Sequence, residues 1–66
     1  MKIHDLLQYE VDYVKQQGNL TERENQLFDL RNDEVPLEEC AEIMNCSLST
    51  VKRIHKSLKR KIVAVL

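Results

Sequence analysis

Apolar residues recur at helical spacing in four blocks, separated by three short polar breaks. Leu7, Val11 and Val14 make one stripe, widened by Ile3, Leu6 and Tyr13, which predicts a first helix over about Ile3–Gln17. Gly18-Asn19 offers it a left-handed stop. Thr21-Glu22-Arg23-Glu24 has the form of a capping box: the threonine hydroxyl accepts from the amide three residues on, and the Glu24 carboxylate reaches back to the Thr21 amide. A second helix should follow through about Arg31, burying Leu27 and Phe28, with Leu30 as a third candidate. Asn32–Pro36 is the clear break. Pro36 is tolerated in the first turn of a third helix, and Glu38 and Glu39 suit the positive end of its dipole. Cys40, Ala41 and Met44 then share one face, Asn45-Cys46 makes a turn, and Ser47 caps a fourth helix. Its stripe is Val51, Ile54, Leu58, Ile62 and Val65. Val51 and Ile54 are expected to be buried against Ala41 and Leu27 or Phe28.

The stretch from Leu37 to Lys56 carries the most information. Two short apolar faces flank Asn45, the residue type that after glycine most readily accepts a left-handed conformation, and Ala41 is small enough for two helices to cross closely. That is the spacing of a helix-turn-helix, whose second helix enters the DNA major groove. An αα-hairpin with no ligand needs the same apolar positions. What separates the two is the set on the remaining faces: Ser47, Ser49, Thr50, Lys52, Arg53 and Lys56, all small polar or basic. Lys52, Arg53 and Lys56 can donate to guanine edges or to phosphate. Ser49 and Thr50 let the backbone come close to the groove. Lys59, Arg60 and Lys61 lie a turn further on, where they touch the phosphate backbone or nothing. His55 reads as a spectator.

Charge sharpens this picture. Residues 1–46 hold all eleven acidic side chains against four basic ones (4 − 11 = −7), whereas residues 47–66 hold six basic and no acidic ones (+6), which leaves the overall −1. So segregated a charge gives a directional field, attractive to phosphate at one end. With 66 residues, one Gly, one Pro and 42% hydrophobic residues, a single compact helical domain spanning 1–66 is expected, with an N-terminal helix over 1–18 and a core over 20–62. No stretch is long and apolar enough for a membrane span, and the acidic start MKIHDLLQYE is unlike a signal peptide, so the cytoplasm is the expected location. Cys40 and Cys46 would act there as small hydrophobes. Pairing them with His4 and His55 does not give zinc-site spacing, so neither metal nor cofactor is expected. Catalysis has no motif behind it: there is no glycine-rich phosphate loop, nucleophile–base set or ligand cluster.

Leu20-Thr21-Glu22-Arg23-Glu24, Leu27, Asp29-Leu30-Arg31, Leu37-Glu38-Glu39, Ser47-x-x-Thr50-Val51-Lys52-Arg53-Ile54 and Leu58-x-x-Lys61-Ile62, in this order, resemble the fourth conserved region of bacterial sigma factors. They are nearly as similar to the DNA-binding domain of LuxR-type regulators. The LuxR-type pattern places a His where Ile54 stands, and Asn45 replaces its usual turn Gly. The resemblance implies an all-α, four-helix helix-turn-helix domain, winged-helix-like without the wing. It also implies that the helix over 47–61 reads double-stranded DNA in the major groove. Groove or base contacts are then Ser49, Lys52, Arg53 and Lys56, and phosphate contacts Arg23, Ser47, Thr50, Lys59 and Arg60. For Arg23 an ion pair with a nearby carboxylate is the competing role. Because the chain shows no receiver or polymerase-core-binding segment, it fits a small free-standing transcriptional regulator, such as one carried by a phage or mobile element.

The alternative is a protein-interaction module docking on a transcription-machinery subunit, with RNA polymerase as its partner. Its partner surface would be the Ile3–Val14 stripe and the apolar end Ile62-Val63-Ala64-Val65-Leu66. Those two apolar segments also predict a homodimer, unless the first helix folds back over Ile62 and Val65.

Overall fold

The computed structural model describes residues 3–66, the His4 side chain excepted. A 3₁₀ turn at Ile3–Asp5 precedes four helices: α1 (Gln8–Gln17), α2 (Glu22–Asn32), α3 (Leu37–Ile43) and α4 (Leu48–Val65). No strand occurs among the described residues. α4 is the spine: α1, α2 and α3 all pack on it, and the 3₁₀ turn packs on α2.

The first predicted helix is broken. Leu7 is extended (φ −74°, ψ 156°), so the chain changes direction between the 3₁₀ turn and α1, and the Glu10 carboxylate accepts from the Leu7 amide at 2.8 Å. The break swings Ile3 into the core and leaves Leu7 57% exposed. Tyr13 is also out at 49%, so the buried stripe of α1 is narrower than its sequence suggests and consists of Val11 and Val14. The left-handed residue after α1 is Asn19 (φ 52°); Gly18 stays right-handed (φ −76°). Gly18 is required for another reason, because a Cβ there would stand 2.6 Å from the Val14 carbonyl oxygen.

The capping box opening α2 forms as its sequence predicts. The Glu24 amide donates to Thr21 Oγ1 at 3.1 Å, and the Thr21 amide donates to Glu24 Oε1 at 2.8 Å. α2 ends through Glu34 in the left-handed region (φ 62°), with the Val35 amide returning to the Leu30 carbonyl. Arg31 Nη1 and the Cys40 thiol both donate to the Val35 carbonyl, which pins the α2–α3 connection onto the hydrophobic body. Pro36 is the N-cap residue of α3, one position ahead of the helix. Asn45 (φ 55°) makes the turn to α4, with the Cys46 amide bonded to the Ala41 carbonyl.

The core is aliphatic around a single aromatic ring: Ile3, Val11, Val14, Leu27, Phe28, Cys40, Ala41, Met44, Val51, Leu58 and Ile62 are buried. Ile54 departs from expectation. It packs on the edge of this cluster and is only half-buried, while Val51 is fully enclosed. α1 does fold back against α4, with Ile62 buried and Val65 half-buried, yet Val63 and Leu66 remain exposed. Lys15 of α1 pairs with Asp29 of α2 at the surface, a contact of the kind that contributes under about 1 kcal/mol.

Candidate nucleic-acid interface

Ser47 starts α4 by accepting from the Thr50 amide at 3.2 Å, and the two hydroxyls lie 2.9 Å apart. From this cap the helix runs 18 residues, about 27 Å at 1.5 Å per residue. Val51, Leu58 and Ile62 hold one side of it in the core. On the opposite side Ser49, Lys52, Arg53, Lys56, Lys59 and Arg60 are all exposed. Their spacing of three and four residues places them in one continuous stripe. That stripe spans about 16 Å along the helix, and B-DNA's major groove, about 12 Å wide, admits a helix side-on. Among the described residues none of its five cations makes an ion pair or side-chain hydrogen bond, so their donors are available. Thr50 sits apart from this stripe, half-buried on its flank. Arg23 is exposed in the first turn of α2, next in sequence to Glu24.

The sixth cation of the C-terminal run behaves differently. Lys61 Nζ donates to Glu24 Oε1 at 2.7 Å and to the Asn19 carbonyl at 3.2 Å, while Ser57 Oγ donates to Glu24 Oε2 at 2.6 Å. Lys61, half-buried, is therefore tied to α2 by a buried carboxylate. The Glu24 side chain is buried, its residue only 4% exposed. Burial alone would raise its pKa, but the bonds from Lys61, Ser57 and the Thr21 amide outweigh burial and hold it at about 2 instead of 4.5. From the sequence Glu24 has only a capping role. One further signal is present there: Ser57 and Lys61 both fall three residues after core positions of α4, on the flank where a polar side chain meets a neighbouring helix.

Electrostatically the two helices of the motif differ in sign. The outward positions of α3 carry exposed Glu38, Glu39 and Glu42. DNA backbone lying over α3 would meet carboxylates, so cationic contact is concentrated on α4. His55, half-buried beside the stripe, has its pKa lowered by burial first and then by Lys59 and Arg31, so it is neutral at neutral pH. Burial pushes the Cys40 thiol up, consistent with an inert core position. Among the described residues no group of three or more His, Cys, Asp or Glu is placed to hold a metal ion. The His4 side chain, a candidate ligand by residue type, lies outside the described residues.

This arrangement, a capped helix with an outward basic stripe set after a tight Asn turn, coincides with a match to the model of sigma-70 region 4 over residues 18–62, well over half the chain. The chain belongs to the sigma-70 region 4 family. The region is a helix-turn-helix that binds DNA and is not catalytic. The match covers α2, α3 and α4 up to Ile62, and leaves the 3₁₀ turn and α1 outside it. Neither a curated protein nor a solved structure matches the chain significantly. Among the described residues no helix is long and apolar enough to cross a membrane.

Proposed function

We propose that this region 4 protein is a sequence-specific, double-stranded DNA-binding regulator of transcription that lays α4 in the major groove. The observation that carries this reading is the exposed stripe running from the Ser47 cap along α4, whose five cations make no ion pair among the described residues. In this reading Ser49, Lys52, Arg53 and Lys56 meet base edges or the groove floor. Ser47, Thr50, Lys59 and Arg60 meet phosphate, and Arg23 meets it from α2. All 66 residues act as one binding unit in the cytoplasm, without a cofactor, and RNA polymerase is the protein partner the family suggests. The exposed apolar residues Tyr9, Tyr13, Val63 and Leu66 support a homodimer on a two-fold site.

Titration of duplex DNA at two salt concentrations tests the reading. With Arg23, Lys59 and Arg60 as the three phosphate-neutralising cations, the log–log salt slope is about −2.7. Changing Arg53 and Lys56 to Ala should each weaken binding by roughly 1–3 kcal/mol where they meet base edges. Unchanged affinity in the folded double variant would reject the site. The exposed Val63 and Leu66 also suit a module that docks on a polymerase subunit; that reading predicts no salt-dependent binding to duplex DNA at all. Light scattering at tens of micromolar, with and without DNA, decides the dimer.

A further inference from the structure

We propose that Glu24 is a positioning residue for recognition: its buried carboxylate sets the rotation of α4 and so decides which side chains face the bases. The inference rests on the DNA-binding reading above. Its basis is a single carboxylate that joins two helices. At its own end Glu24 is oriented by the α2 cap, where Oε1 accepts from the Thr21 amide at 2.8 Å. On the other side it holds α4 at two places, Ser57 Oγ on Oε2 at 2.6 Å and Lys61 Nζ on Oε1 at 2.7 Å. Ser57 and Lys61 are four residues apart, one above the other on the same face, so two successive turns of α4 are tied to one fixed group. Lys61 is anchored a second time, by the Asn19 carbonyl at 3.2 Å.

The rest of the α4 packing cannot do this as well. Val51, Leu58 and Ile62 are aliphatic and meet a largely aliphatic core, and burial of apolar surface is non-directional. Such a seam tolerates small rotations that a pair of hydrogen bonds does not. A rotation of about 20° carries a side-chain tip about 2 Å around a helix whose outer radius is about 5–6 Å. That breaks a base-edge hydrogen bond, yet long Lys and Arg side chains still reach phosphates, which carry affinity but no sequence information. Glu24 also holds the start of α2, and with it the exposed Arg23, in fixed relation to the stripe. The clamp therefore acts on discrimination more than on affinity.

The test uses the whole chain. The wild type first selects its preferred site from a randomised duplex library. Wild type, Glu24→Gln, Ser57→Ala and Lys61→Arg are then titrated with that site and with a scrambled duplex at two salt concentrations, after circular dichroism has shown which variants are folded. The expected result is that Ser57→Ala and Glu24→Gln lose roughly tenfold or more of the preference, the effect of a mismatched base pair. Affinity for the scrambled duplex and its salt slope stay within about twofold, and Lys61→Arg retains the preference. Ser57→Ala removes one bond at a half-buried site, so it keeps the test alive should Glu24→Gln fail to fold. Full preference in the folded variants overturns the inference, as does an equal loss on both duplexes, which would mark a merely structural clamp. A wild type that enriches no sequence removes the sequence-specific reading instead, and this inference with it.

Discussion

Lys56 and Lys61 stand five residues apart on one helix and do opposite things. Lys56 points to solvent from the outward stripe, whereas Lys61 is drawn in to a buried carboxylate on α2. The two flanks of α4 therefore have the same residue type but different physics. On the outer flank a cation is hydrated, screened and free to meet a partner; on the inner flank it is bound into a network that must stay complete. A buried ion pair adds little stability relative to a well-packed apolar pair, but losing one member leaves the other charge stranded. Position relative to the core, rather than residue type, separates a free cation from a structural one.

The contrast can be broken most severely from the inner side. Glu24→Ala should cost about 3 kcal/mol, because Ser57 Oγ, the Thr21 amide and the one-third-exposed Lys61 all lose a charged acceptor. Thermal denaturation followed by circular dichroism should then show a midpoint lowered by about 12–24 °C. Retention of most of the wild-type stability would mean that the inner network is replaceable by water.

Acid probes the same network without mutation. Glu24 titrates near 4.5 when unfolded and at about 2 when folded. Its lowered folded value means the carboxylate contributes stability above pH 4.5, and this is lost as pH falls from 4.5 toward 2. The difference corresponds to about 3 kcal/mol. Urea midpoints measured from neutral pH down into that window should fall across it, and the fall should be smaller in a folded Glu24→Gln variant. Equal acid sensitivity in the two proteins would place the titrating group elsewhere.

The outer flank should respond in the opposite way. Lys56→Ala should leave stability within about 0.5 kcal/mol while weakening duplex binding by roughly 1–3 kcal/mol. A folded Lys56→Ala variant that loses several kcal/mol of stability, or one that keeps full duplex affinity, would erase the distinction between the flanks.

The smallest expected effect comes from the turn before α4. Asn45 holds φ 55°, a conformation that only Gly adopts more easily. Asn45→Gly should shift stability by less than about 1 kcal/mol and leave the stripe where it is. A larger loss would show that the Asn45 side chain makes a contribution of its own to the turn.

Much of the molecule is legible in the order of its residues. The Thr21–Glu24 capping box, the Asn45 turn, the Ser47 cap and the Val51–Ile62 stripe depend on neighbours three or four residues apart, and such local rules act on any chain carrying those residues. The outward stripe of α4 follows from the same periodicity, since positions the core does not use must face away from it. The first helix is shorter than its pattern implies. Local spacing favours continuing through Leu6 and Leu7, but the chain turns there so that Ile3 reaches the core beside α2. Periodicity puts Ile54 on the correct face, but how deeply it sits depends on where its neighbours end. That Glu24 is the group clamping α4 is not legible, although the spacing of Ser57 and Lys61 puts both on the flank of α4 that meets a neighbouring helix. Its partners Ser57 and Lys61 are 33 and 37 residues away, and only the packing of α2 on α4 brings these three side chains together and buries the carboxylate. Sequence by itself determined the helices, the turn and the outward cations, because each answers to contacts within one turn of chain. Tertiary structure alone decided which lysine is held by a buried carboxylate, because that carboxylate comes from a distant part of the chain.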